Sequence, residues 1–81
     1  MTDSDLYRAI DEIILSLTGK HWRKVAMIIA KTERALESKA LSVDLEAIER
    51  RIGVLVEMGR LEGVGNLSNW RHSEVRLPPN A

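Results

Sequence analysis

The chain has 81 residues, 44% of them hydrophobic and 30% charged, with 12 Lys and Arg against 12 Asp and Glu and no Cys. That length suits one small domain, and the even charge argues against a protein that holds nucleic acid or membranes by bulk charge. Without Cys there is no disulfide scaffold, thiol nucleophile or Cys-ligated zinc, and no apolar run approaches a membrane span.

The first helix is expected from Asp3 to Thr18. Thr2 and Asp5 form an approximate capping box, and Leu6, Ile10, Ile13 and Leu17 recur at helical spacing, with Tyr7 and Ile14 widening the stripe. Arg8, Asp11 and Glu12 fall opposite, where Arg8 can pair with either acid. Gly19 marks the stop. A second helix is expected to begin at Trp22 and to end between Ala35 and Leu41, with Trp22, Val25, Ala26, Ile29, Thr32 and Leu36 on its apolar face. Ser42 or Asp44 caps a third helix whose stripe is Leu45, Ile48, Ile52, Leu55 and Val56, and Gly59 ends it in the left-handed conformation that glycine adopts cheaply.

From Arg60 the period changes from helical to alternating. Pairing Leu61 with Leu77 sets Glu62 opposite Arg76 and Gly63 opposite Val75, a register with apolar residues on one face and an ion pair on the other. The linking stretch, Asn66 to His72, is rich in turn formers. Pro78 to Ala81 cannot extend a sheet and read as a flexible tail on a single domain over residues 1–77.

Three helices followed by a two-stranded β-hairpin make an α+β domain, and a lone hairpin needs a helix to pack on. The stretch Ile48 to Gly65 resembles the passage from third helix to wing in winged-helix domains, with Leu55, Gly59 and Leu61 in an L-x-x-x-G-x-L pattern. A closer resemblance, covering Trp22 to Leu77, is to a bacterial family of uncharacterised small winged-helix-like domains. It rests on Gly59-Arg60-Leu61-Glu62 with Gly65-Asn66-Leu67 (G-x-L-E-x-x-G-x-L), on Ser73-Glu74-Val75-Arg76-Leu77, and on Trp22, Val25 and Ala26 in a W-x-x-V-A helix start. The resemblance implies the fold and transfers no activity; winged helices bind DNA, RNA or proteins.

Charge is uneven along the chain. Residues 20–39 carry a local +4, and Arg23, Lys24, Lys31 and Arg34 fall within one third of a helical wheel. Such a stripe can meet phosphates or an acidic partner, or simply be a solvated face. The third helix, which would read a DNA groove, instead opens with Asp44, Glu46 and Glu49, so nucleic acid is disfavoured there. Trp70 and Arg71 in the wing loop can stack on a base or grip a partner, or Trp70 can fold back onto the core. His21 and His72 have no metal-ligand spacing to carboxylates, and neither a nucleophile elbow nor a phosphate loop is present. No metal, cofactor or catalysis is expected.

Ala47, Val54 and Met58 lie together on the third helix, turned away from its main stripe, and would form an interaction patch if the wing leaves them open. The expected function is a cytoplasmic, non-enzymatic interaction module that binds another protein or itself, through residues drawn from Arg23, Lys24, Lys31, Arg34, Met58, Trp70 and Arg71. A homodimer would use the wing, whose strand at residues 73–77 is expected to keep a free outer edge, or the third helix. The alternative is a DNA-binding regulator using the basic second helix and the wing.

Overall fold

In a computed structural model, which describes residues 2–65 and 72–79, Thr2 is extended and its Oγ1 accepts a hydrogen bond from the Asp5 amide at 3.2 Å. Helix α1 therefore starts where its cap predicts and runs Asp3–Leu17. Its end is set by Thr18 rather than by a left-handed Gly19. Thr18 is extended, its amide donates to the Ile14 carbonyl, and its hydroxyl donates to the same oxygen at 2.8 Å.

The second helix begins three residues later than its apolar period suggests. Arg23–Lys24 form a short strand, β1, and α2 runs Val25–Ser38. Lys24 occupies the N-cap with no side-chain cap bond, so no local signal fixes the start. Sheet pairing fixes it instead: the Val25 amide donates to the Ser73 carbonyl at 3.0 Å, which holds the chain extended up to that point.

Helices α2 and α3 (Leu45–Glu57) end on the same hydrogen-bond pattern. After α3, Gly59 has φ 77°, its amide donates to Val56, and the Arg60 amide reaches back to Leu55. After α2, the Ala40 amide donates to Glu37 and the Leu41 amide to Leu36, with Leu41 packed on the core. These are Schellman closures, and the position that wants glycine in the second of them is Ala40, at φ 59°. An L-residue there carries roughly 1 kcal/mol of steric strain. Ala40→Gly is thus expected to raise stability by about 0.5–1 kcal/mol, or about 3–6 °C in Tm, even though glycine frees the unfolded chain. A melt showing a lower Tm for the variant would contradict this account of the turn.

Strands β2 (Glu62–Val64) and β3 (Glu74–Arg76) pair antiparallel in the register that alternation predicts, Glu62 opposite Arg76 and Gly63 opposite Val75. The sheet has three strands rather than the two of a simple hairpin. β1 pairs with β3 through Arg23–Val75 and Lys24–Glu74, giving the order β1-β3-β2. The Leu77 amide extends this contact by donating to Gly19 at 2.8 Å. β3 is therefore the central strand, and the free outer edge expected for it does not exist.

The core lies where the three helices meet the inner face of the sheet. Among the described residues its fully buried hydrophobic side chains are all Ile, Leu or Val, from Ile10 and Ile14 through Ile48, Ile52 and Leu55 to Leu61 and Val75. Thr32 sits among them on α2, as the apolar stripe predicts, with its hydroxyl unpartnered. Trp22 is not a core residue. It precedes β1 and is 36% exposed, so it does not take the place expected for it on the apolar face of the second helix, and the core is packed with aliphatic side chains instead.

Candidate functional site

The basic stripe expected on the second helix is divided between two elements. Lys31 and Arg34 are exposed on α2, whereas Arg23 and Lys24 are exposed on β1. Successive strand residues point to opposite faces, so a helical wheel that brings Arg23 and Lys24 to one side does not apply. Lys24 lies across from Glu74 in the ladder, which offsets its charge. Trp70 and Arg71 lie outside the described residues. Met58 caps the C-terminus of α3 and is 62% exposed, a surface residue as an interaction role requires.

One row of side chains runs across β2 and β3 to Trp22, the residue just before β1. Arg76 donates to Glu62 Oε2 from Nε at 3.1 Å and from Nη2 at 3.0 Å, and its guanidinium lies 4.5 Å from the centre of the Trp22 ring. The Glu62–Arg76 pair is the one the register predicts. The Trp22 contact is not legible in the sequence, because it follows from the pairing of β1. The row keeps Arg76 engaged on both sides and explains why Trp22 can sit outside the core, its ring covered by a cation.

A second cluster joins α1 to α3. Arg51 grips Asp11 with two bonds, Nε to Oδ1 at 2.9 Å and Nη2 to Oδ2 at 2.7 Å, and lies 4.9 Å from the centre of the Tyr7 ring. Asp11 thus bonds across the domain to Arg51 and not with Arg8 one turn away. The hydrogen bonds to Asp11 raise the Arg51 guanidinium above its ordinary pKa, outweighing the opposing cost of partial burial. Arg51 is fixed in place and charged at any accessible pH.

Two hollows flank this cluster, with Tyr7 and Arg51 forming the wall common to both. One, of about 430 Å³, is bordered by Ser4, Arg8, Glu12, Leu15 and Arg60. The other, of about 310 Å³, opens between the helices over Leu6, Val43, Ala47 and Val54, with Asp3 and Arg50 at its rim. Ala47 and Val54 are the residues that the helical wheel turns away from the main stripe of α3. Among the described residues no part of β2 or β3 lines this groove; Ala47 and Val54 form one wall and α1 the other. Tyr7 itself is 44% exposed.

The outward face of α3 is acidic at its start. Asp44 and Glu46 are exposed beside an exposed Leu45, and Arg50 is the first cation along it that is not already bonded to a carboxylate among the described residues. Among the described residues no three His, Asp or Glu side chains converge as metal ligands would, and no helix is long and apolar enough to cross a membrane.

No family model, curated protein or solved structure matches the chain.

Proposed function

We propose that this domain is a winged helix that works as a non-enzymatic protein-interaction module. The order helix, strand, helix, helix, strand, strand, with the first strand joined to the last, supports the winged-helix reading. It also accords with the resemblance carried by the Gly59–Leu67 and Ser73–Leu77 motifs. The observation that carries the functional half is the face of α3. In a groove-reading winged helix the start of this helix meets base edges and phosphates. Here it offers Asp44, Leu45 and Glu46, and Arg51 is occupied by Asp11. Carboxylates facing a polyanion repel it, and an exposed leucine finds no hydrogen-bonding partner on a phosphate. An exposed Tyr, paired arginines and an apolar groove between α1 and α3 are instead the materials of a protein contact.

Titration of random duplex DNA at low salt, followed by anisotropy, is expected to show no binding tighter than about 10⁻⁵ M. Submicromolar binding with a steep salt dependence, abolished by Arg23→Glu on β1 with Lys31→Glu on α2, would replace this reading with a DNA-binding regulator that uses those basic residues and the wing.

A further inference from the structure

We infer that the α1–α3 face is where two copies of this chain meet around a two-fold axis. The inference rests on the protein-interaction reading above and names its surface and its partner. A two-fold contact uses the same patch on both copies, so the patch must carry a projection and a recess side by side. The α1–α3 face has both. Tyr7, braced by Arg51, forms the wall between hollows of about 310 and 430 Å³, so the ring of one copy can seat in a hollow of the other while the reverse contact forms at the same time. The floor it would meet is apolar. Leu6, Val43, Ala47 and Val54 are only half-buried, and the area they leave open faces the groove.

The charges on this face also suit a second copy. Arg8, Arg50 and Arg60 are exposed around the hollows, and so are Asp3 and Glu12. Each of the two acids on one copy can meet one of the three arginines on the other, and the exchange is reciprocal. A uniformly acidic or basic partner would match only part of the set and be repelled by the rest. The net charge of zero removes long-range repulsion between copies. Residue type points the same way. All four lysines lie within residues 20–39, and the cations bordering the α1–α3 hollows are arginines. Interfaces are enriched in Arg and Tyr and depleted in Lys, whose flexible, strongly hydrated ammonium favours solvent. The sheet offers less: β3 is paired on both sides, and β2 exposes an edge only three residues long.

Sedimentation equilibrium on the full chain, from about 5 to 500 µM, is expected to show a monomer–dimer equilibrium with a dissociation constant on the order of 10–100 µM. Tyr7→Ser should weaken it at least tenfold with helix content by circular dichroism unchanged. Charge variants then test the face itself. Arg8→Glu with Arg60→Glu makes the face acidic, and Asp3→Arg with Glu12→Arg makes it basic. Each double variant alone should be monomeric, and an equimolar mixture should form a heterodimer. Lys31→Glu with Arg34→Glu, on exposed positions of α2, should leave the dimer intact. A monomer throughout the concentration range overturns the inference and leaves a different protein as partner, so the interaction reading survives. A dimer indifferent to Tyr7 and to both charge sets overturns the choice of face. Tight DNA binding in the titration above strikes the interaction reading itself, which separates the two failures.

Discussion

Leu55→Ala is expected to remove about 3–4 kcal/mol of unfolding free energy, the cost of lost apolar burial plus the cavity left behind. Leu55 is fully buried on α3, in the same cluster as Ile48, Ile52 and Leu61. Its carbonyl also accepts the amides of Arg60 at 2.9 Å and Leu61 at 3.2 Å, so the residue anchors the corner where α3 turns into β2. A domain of 81 residues has a total stability of about 4–12 kcal/mol. The substitution therefore takes a large part of the whole, and the urea midpoint should fall with little change in slope. Leu45→Ala is the control. Sequence periodicity puts Leu45 and Leu55 on the same stripe, but Leu45 is 41% exposed in the first turn of α3. Its truncation should cost less than about 1 kcal/mol. Equal losses at the two positions would mean that Leu45 is covered in solution, and the boundary of the core would have to be redrawn.

The contrast between those leucines shows what a helical period can and cannot report. It identifies the face of a helix in part: Ile10, Ile14, Ile48, Ile52 and Leu55 are buried, whereas Leu6, Ile13, Leu17 and Val56 on the same stripes are only partly buried and Tyr7 is exposed. It says nothing about where along the helix the neighbouring elements stop, and Leu45, at the start of the stripe, is left exposed. Some caps and turns are legible for the same local reason, although Gly19 does not close α1 and Asp44 stands at the N-cap of α3 without a side-chain cap bond. Thr2 bonds an amide three residues on, and Gly59 adopts the backbone that only glycine takes cheaply. The β2–β3 register is readable because both strands alternate and only one register puts Glu62 against Arg76 with Leu61 and Val75 inside.

What escapes the sequence depends on contacts between distant segments. Two residues are too few to show a period, and β1 exists only because β3, some 50 residues later, supplies its partner. Helical periodicity alone therefore places Trp22, Arg23 and Lys24 on a helix, and the four-residue basic stripe depends on that placement. The Asp11–Arg51 pair spans 40 residues, and local reasoning pairs Asp11 with Arg8 instead. The same limit applies to the proposed dimer face. Ala47 and Val54 stand out on a helical wheel, but their groove needs α1 as a second wall. The role of Tyr7 as the partition between two hollows follows only when Arg51 is brought over its ring.

Gly65→Ala is the other substitution with a large expected effect, and Gly59→Ala separates its causes. Both glycines have positive φ, 83° at Gly65 and 77° at Gly59. An alanine at either must bear the left-handed backbone, at about 1–2 kcal/mol. At Gly59 that is the whole cost, since nothing lies within 4 Å of the added methyl group. At Gly65 the methyl carbon would sit 2.9 Å from the His72 carbonyl oxygen and 3.3 Å from Ser73 Cα. Both are backbone atoms that cannot rotate aside, so one of the two segments has to move. Moving His72 and Ser73 disturbs the entry to the central strand, because the Ser73 carbonyl accepts the Val25 amide and Ser73 itself is buried. Gly65→Ala should therefore cost about 2–4 kcal/mol, at least 1 kcal/mol more than Gly59→Ala in parallel urea titrations. Hydrogen exchange should localise the difference: the Val25 amide loses protection in Gly65→Ala and keeps it in Gly59→Ala. If the two variants lose the same stability and Val25 stays protected in both, the close approach of Gly65 to His72 is absent in solution, and β2 and β3 are joined more loosely than their register implies.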